Sequence, residues 1–258
     1  MIGRLQLFEL HDFTWCPKVI RDGLTDFLEI SIETLDTYAA VRPLLMRAFT
    51  ESGATRIIDL CSGAGGPWVH WKKKGLVRST LILTDKFPNL EARQRLVEAA
   101  LPGLEYRFES VNAAAVPTEL AGFRTIFTAF HHFPPDQAKL LIDDAVSKGQ
   151  PIGVFELTSR SLGALLWMLL SPLGVWAFTP RLPKIGLKKW ILTYFIPVIP
   201  FVVLIDGIVS CLRTYSPAEL RAMAHASNYV WSTGQLKGRG GPITYLIGYP
   251  QAPRDHSN

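Results

Sequence analysis

The sequence predicts an α/β fold: a three-layer sandwich around a mostly parallel, seven-stranded sheet, with a hydrophobic helical insertion. Three observations lead there. Short, continuous apolar runs alternate with segments of helical spacing, the pattern of parallel strands covered on both faces. A glycine-rich turn joins the first of these runs to the helix that follows. Near the C-terminus two further β-branched and aromatic runs lie close together, as a closing pair of strands does.

Taken in order, residues 33–51 place Leu35, Tyr38, Val41, Leu45 and Phe49 at helical spacing, and Gly53 supplies a stop. Residues 56–60 form the first strand, 67–74 a helix, and 80–84 a second strand that ends at Asp85, which makes a βαβ unit. Residues 89–100 read as a helix, 106–111 and 125–129 as strands, 134–146 as a helix and 152–155 as the fifth strand. Later, Ser216 caps a helix that begins at Pro217 and runs to Ala226. Strands at 229–235 and 243–249 close the sheet, and a polar tail covers 250–258.

The 258 residues suffice for one domain over 1–258, with an N-terminal helical cap at 1–52 and an apolar insertion at 157–212. Cys16, Cys61 and Cys211 are odd in number and far apart, with no CxxC pair. That excludes a disulfide framework, offers no structural zinc spacing, and fits a reducing cytoplasm; no metal is expected. The start carries Arg4 and Glu9 rather than the apolar core of a signal peptide. The net charge of +5 is not gathered into one run with interleaved aromatics, so nucleic acid is not an expected partner. Lys72, Lys73 and Lys74 read as a solvated helix face, and nothing reports the oligomeric state.

The chemistry starts in the turn Asp59-Leu60-Cys61-Ser62-Gly63-Ala64-Gly65-Gly66, where Gly63 and Gly65 permit a tight bend and close backbone approach to a ligand. Such a loop suits a nucleotide-like cofactor. A dinucleotide fingerprint wants glycine three places past Gly65, where Trp68 stands, and Pro67 crowds the helix start. A phosphate-binding loop fails too, because no Gly-Lys-Ser/Thr follows.

The turn resembles the first motif of the class I, Rossmann-like, S-adenosylmethionine-dependent methyltransferases, an acidic residue followed by alternating glycines. Asp59, Gly63 and Gly65 match, while Cys61 stands where that family usually has its first glycine. Asp85, closing the second strand, matches the family's second acidic position, where a carboxylate accepts the ribose hydroxyls. The resemblance covers residues 38–155 well and 214–249 loosely. It implies S-adenosyl-L-methionine as cofactor, with Cys61, Ser62 and Lys86 beside the matched residues, Asn112 and Ala113 flanking the adenine, and Phe130 to His132 bordering the sulfonium.

Methyl transfer is an in-line displacement, so a protein mostly aligns the acceptor and removes its proton where needed. His131 and His132 end the fourth strand between Phe130 and Phe133, and either is a candidate base. Local capping is the plainer role for both. Glu156, after the fifth strand, is the second candidate.

Between Glu156 and Arg213 the chain turns apolar. Residues 162–178 and 190–205 flank a linker with Arg181, Lys184, Lys188 and Lys189, and prolines 172, 197 and 200 interrupt the runs. Each run falls short of, or barely reaches, the ~17 to 25 residues of a spanning helix. The expectation is a peripheral or monotopic membrane contact through 162–205, with Trp167, Trp176 and Trp190 at headgroup level. A buried lid over the active site or a dimer interface are the rival uses. The mixed stretch 7–32 folds over the same pocket. Together they suit a lipophilic small molecule or lipid as methyl acceptor. Transfer of another S-adenosyl group, or a non-catalytic membrane-associated scaffold that retains the fold, are the alternative functions.

Overall fold

The apolar runs become strands β1 (Arg56–Leu60), β2 (Thr80–Leu83), β3 (Leu104–Tyr106), β4 (Phe123–Phe127), β5 (Ile152–Glu156), β6 (Tyr229–Gly238) and β7 (Gly241–Pro250). The computed structural model describes residues 3–88, 90–182 and 185–251; Asn89, Lys184 and the tail from 252 lie outside the described residues. One seven-stranded sheet has the order β3-β2-β1-β4-β5-β7-β6. Its first five strands run parallel, and β7 pairs antiparallel with both β5 and β6. The expected mostly parallel sheet with a closing pair is the one observed.

The helices are α1 (Lys18–Leu35), α2 (Val41–Glu51), α3 (Gly66–Lys73), α4 (Leu90–Ala99), α5 (Pro135–Ser147), α6 (Leu162–Met168), α7 (Ser171–Phe178), α8 (Leu187–Tyr194), α9 (Val198–Arg213) and α10 (Pro217–Met223). Alternation along β1 sends its side chains to both faces: Ile57 and Ile58 are each fully buried, in two different core clusters. One cluster is completed by α5, the other by α2 and α3.

The helix expected over 33–51 is instead two. A proline inside it, Pro43, lacks an N–H and its ring would clash with the carbonyl of residue 39 in a continuous helix. The chain breaks upstream, with Asp36 left-handed at φ 44, and fully buried Tyr38 drops edge-on against Phe127, centroids 4.9 Å apart. The third strand lies at Leu104–Tyr106 rather than 106–111: its ladder pairs only Leu81 to Leu83 of β2, and beyond it Arg107 and Val111 make single bonds to the carbonyls of Leu83 and Asp85. The helix capped by Ser216 stops at Met223, three residues before Ala226.

Among the described residues the insertion forms three short helices, α6, α7 and α8, and the 16-residue α9. The pairs α6–α7 and α8–α9 are bent by 42° and 69°, and among the described residues no single helix is long and apolar enough to cross a membrane. Leu24 of α1, Val175 of α7 and Ile199, Val202 and Val203 of α9 form a third core cluster, so the N-terminal helix and the insertion make one helical layer.

Candidate active site

The glycine turn is held from beneath. Asp59 is 2% exposed: its Oδ1 accepts from Trp68 Nε1 at 2.9 Å and Thr125 Oγ1 at 2.6 Å, and its Oδ2 from Ser62 Oγ at 2.7 Å. Burial pushes its pKa up to about 7 against the pull of these hydrogen bonds. Asp59 and Ser62, expected among cofactor contacts, spend their side chains on organising the turn. Trp68 owes its place to the same carboxylate. Gly65 has φ 102 and starts α3; a Cβ there would lie 2.4 Å from Val69 Cγ2, so only glycine fits. Cys61, standing at the family's first glycine position, also has positive φ, 56°.

Above the turn there is room. A Cβ built on Gly63 or Gly66 would meet nothing within 4 Å. Asp85 stands at its rim, Oδ2 accepting from the Gly63 N–H at 2.9 Å and Oδ1 from the Phe87 N–H at 2.8 Å. A partly exposed carboxylate at the rim of that open space can accept further hydrogen bonds. Phe87, 80% exposed, belongs to no motif in the sequence; it follows Asp85 with the Lys86 ammonium 5.7 Å from its ring centroid. Of the other expected contacts, Asn112 is exposed and its Oδ1 accepts from the Ala114 N–H at 3.0 Å. Ala113 and Phe130 are corrected to core residues: they are 4% and 0% exposed, and Phe130 packs on Tyr215.

Beside this turn, at the carboxyl ends of β4 and β5, opens a cavity of about 610 Å³ roofed by α1, α6, α7 and α9. Its wall is mainly aliphatic and aromatic, with Leu28, Trp167 and Phe178 among the lining residues. None of the turn residues lines it; Thr128, after β4, does, at φ 49 with its hydroxyl bonded to Tyr38. Among the described residues, its carboxylates and imidazoles gather in one cluster: Glu9, His11, His131, His132 and Asp206.

Glu156, fully buried, builds this cluster from the sheet. Its Oε1 accepts the N–H groups of Phe130 and His131 at 2.7 and 3.2 Å, and its Oε2 lies 2.6 Å from His131 Nδ1. The other ring nitrogen of His131 stands 3.4 Å from Glu9 Oε1 in ion-pair rather than hydrogen-bond geometry. His132 Nδ1 faces Asp12 at 3.4 Å and its Nε2 faces Glu9 at 3.9 Å. His11 Nδ1 meets Asp206 at 2.8 Å, and Arg213 Nη1 bridges Glu9 and Asp12 at 3.3 and 3.0 Å.

Burial alone would lower the His131 pKa, but Glu156 and Glu9 overcome it and raise it to about 9. Burial and the neighbouring His131 charge lower that of His132. Burial would raise Glu9, yet the three imidazoles hold it down at about 2. A free-base role for His131 is thereby corrected: its side chain is 2% exposed and both nitrogens face carboxylates, whereas His132 is 27% exposed. Glu156 positions His131 and touches no open space.

Glu9, His11, Asp206 and Arg213 cannot be recognised as site residues from sequence, because about 200 residues separate their two segments. One signal exists: Asp206 stands alone in an apolar helix, and a buried carboxylate demands partners.

No family model matches the chain, and no curated protein matches it in sequence. Solved structures do match in shape. Magnesium protoporphyrin IX methyltransferase (ChlM) from Synechocystis PCC 6803, with bound SAH, is 13% identical with TM-score 0.50 over 86% of each chain. The plantazolicin methyltransferase BpumL in complex with SAH is 8% identical with TM-score 0.50, over 90% of this chain and 98% of that one. A chain described as a zinc-dependent alcohol dehydrogenase from Rhodobacter sphaeroides is 11% identical with TM-score 0.51, over 91% and 98%. At such identities the likeness shows the fold, the Rossmann-like α/β fold of class I methyltransferases.

Proposed function

We propose that this chain transfers a methyl group from S-adenosylmethionine to a lipophilic acceptor, at a membrane surface. The observation that carries the reading is an apolar cavity at the ends of β4 and β5, beside a strand whose glycine turn has open space and an acidic rim. Pro67 and Trp68 at the helix start favour this cofactor over a dinucleotide. Bound there, S-adenosylmethionine supplies an electrophilic methyl group on a sulfonium. The chain's own part is placement: Asp85, at the rim of the turn, holds the ribose side, and Phe87 offers a face to the adenine. The aliphatic wall binds the acceptor and excludes water, while the Glu9 and His132 end of the cavity orients its reacting group.

The membrane part rests on the outer side of the helical layer. Leu162, Leu173, Leu187, Phe195 and Phe201 are 56 to 72% exposed, more apolar surface than a closed lid presents. Of the linker cations, Arg181 and Lys188 are exposed, whereas Lys189 is bound to Asp26 and does not face outward alone. Titration calorimetry of the full chain with S-adenosylmethionine and S-adenosylhomocysteine tests the cofactor: one site per chain is expected, and no heat with either compound ends the reading. Lipid extracts incubated with methyl-labelled cofactor then test the acceptor class, with label expected in the apolar fraction.

A further inference from the structure

The cluster at the cavity floor holds more donor chemistry than positioning alone needs. One donor atom each from Glu9, His131 and His132 lies within 4.8 Å of the other two, and a second set of Glu9, His11 and Asp206 overlaps it. We propose that Glu9, His131 and His132 bind one divalent first-row transition-metal ion, with coordination positions left open toward the cavity.

Four features argue for it. First, spacing: ligands about 2.1 Å from a tetrahedral ion stand roughly 3.4 Å apart, and the two Nε2 atoms flank the Glu9 carboxylate, His131 3.4 Å from Oε1 and His132 3.9 Å from Oε2. Second, orientation: each imidazole has a carboxylate on Nδ1, Glu156 at 2.6 Å and Asp12 at 3.4 Å, which turns Nε2 to Glu9, where a bound ion would take the place of the Nε2 proton. A carboxylate behind a metal-bound histidine is the usual support of such a ligand. Third, His131 Nε2 is buried and, beyond its 3.4 Å ion-pair contact with Glu9, has no hydrogen-bond partner among the described residues, a shortfall that a metal bond removes. Fourth, charge: Glu9, Asp12, Glu156 and Asp206 converge here, and among the described residues Arg213 is the one guanidinium bridging them, through Glu9 and Asp12.

Two imidazoles and one carboxylate suit Mn²⁺, Fe²⁺, Co²⁺ or Zn²⁺ better than an all-oxygen cation site does. Ser210 Oγ and Arg213 already hold Glu9 Oε1, at 2.8 and 3.3 Å, which leaves Oε2 toward His132 and His11. With His132 part-exposed, the open side of the ion meets the cavity. An acceptor bearing an oxygen donor would complete the coordination, a consequence that rests on the methyl-transfer reading. The ion site itself does not.

The test uses the full chain, stripped with a chelator, dialysed and titrated with Co²⁺ in the absence of cofactor and acceptor. One ion per chain is expected, with visible ligand-field bands, and Zn²⁺ should displace it. His132→Gln and Glu9→Gln should abolish the stoichiometric bands. Glu156→Gln should weaken binding by about 10- to 100-fold, the usual loss when the support of a metal-bound imidazole is removed. His225→Ala, an exposed imidazole outside the cavity, should leave binding unchanged. Circular dichroism confirms folding of each variant, and His132→Gln, at the part-exposed ligand, is the one least tied to stability. Absence of a stoichiometric ion in the wild-type chain, or bands that persist in a folded His132→Gln, would overturn the proposal and leave a metal-free ion-pair network. Either result leaves calorimetry with S-adenosylmethionine as an independent test of the cofactor.

Discussion

Three donors converge on the Asp59 carboxylate, and Asp59→Ala would strand two of them inside the protein, the Trp68 indole N–H and the Thr125 hydroxyl, while the Ser62 hydroxyl keeps the carbonyl of residue 59. A buried donor without a partner costs ~1 to 3 kcal/mol, so a loss of roughly 2 to 4 kcal/mol is expected in urea denaturation. Asp59→Asn keeps an acceptor for Trp68 and should lose less. An alanine variant as stable as wild type but unable to bind cofactor would mean that Asp59 is a ligand contact after all. Phe87 is the converse case, an exposed ring with no core role. Phe87→Ala should leave stability within about 0.5 kcal/mol, as surface changes do. Calorimetry should show S-adenosylhomocysteine binding weakened by about tenfold, for an aromatic contact worth roughly 1.4 kcal/mol. The sequence points to Asp59 but not to its role, and to Phe87 not at all, for one reason. A motif gives a residue type and a spacing, whereas which way a carboxylate points depends on Thr125, 66 residues away.

At the scale of elements, the sheet is readable in the sequence and the helical layer is not. Strands such as β4 and β5 are short, continuous apolar runs whose ends fall where the sequence places them, within about two residues. The break between α1 and α2 is hidden because Leu35, Tyr38 and Val41 keep helical spacing across it; only Pro43 objects. That break has a function, since it inserts Tyr38 between the sheet and the cavity, its ring on Phe127 and its hydroxyl on Thr128. Tyr38→Phe should cost about 1 kcal/mol by removing one hydrogen bond. Tyr38→Ala should cost ~3 to 5 kcal/mol by opening a hole in the core. If thermal and chemical denaturation place both variants together near wild type, Tyr38 does not anchor the junction. The insertion shows the same limit: its apolar composition is plain, but α9 curls back to set Asp206 and Arg213 against the N-terminal segment that carries Glu9 and Asp12, and no local pattern encodes that meeting.

For the whole molecule, the question is why a cavity of about 610 Å³ is roofed by helices whose outer side is also apolar. A lid that served only to exclude water would be polar outside. Here the roof is apolar on both sides, and its bent helix pairs contain no single spanning helix but are long enough to rest in one leaflet. A lipophilic acceptor could then pass from lipid to cavity without entering water. The full chain should therefore pellet with anionic phospholipid vesicles. Leu173→Glu with Phe201→Glu should release it, since neither side chain lines the cavity and both are more than half exposed. Each apolar side chain buried in lipid contributes ~1.5 kcal/mol or more, so the pair should reduce partitioning by more than about tenfold. Salt should weaken binding as well, through screening of Arg181 and Lys188, which acts over about 10 Å at 0.1 M ionic strength. S-adenosylhomocysteine affinity should be unchanged in the double variant, which separates docking from cofactor binding. Equal recovery of wild type and variant in the supernatant would mean that the roof closes against something other than a membrane.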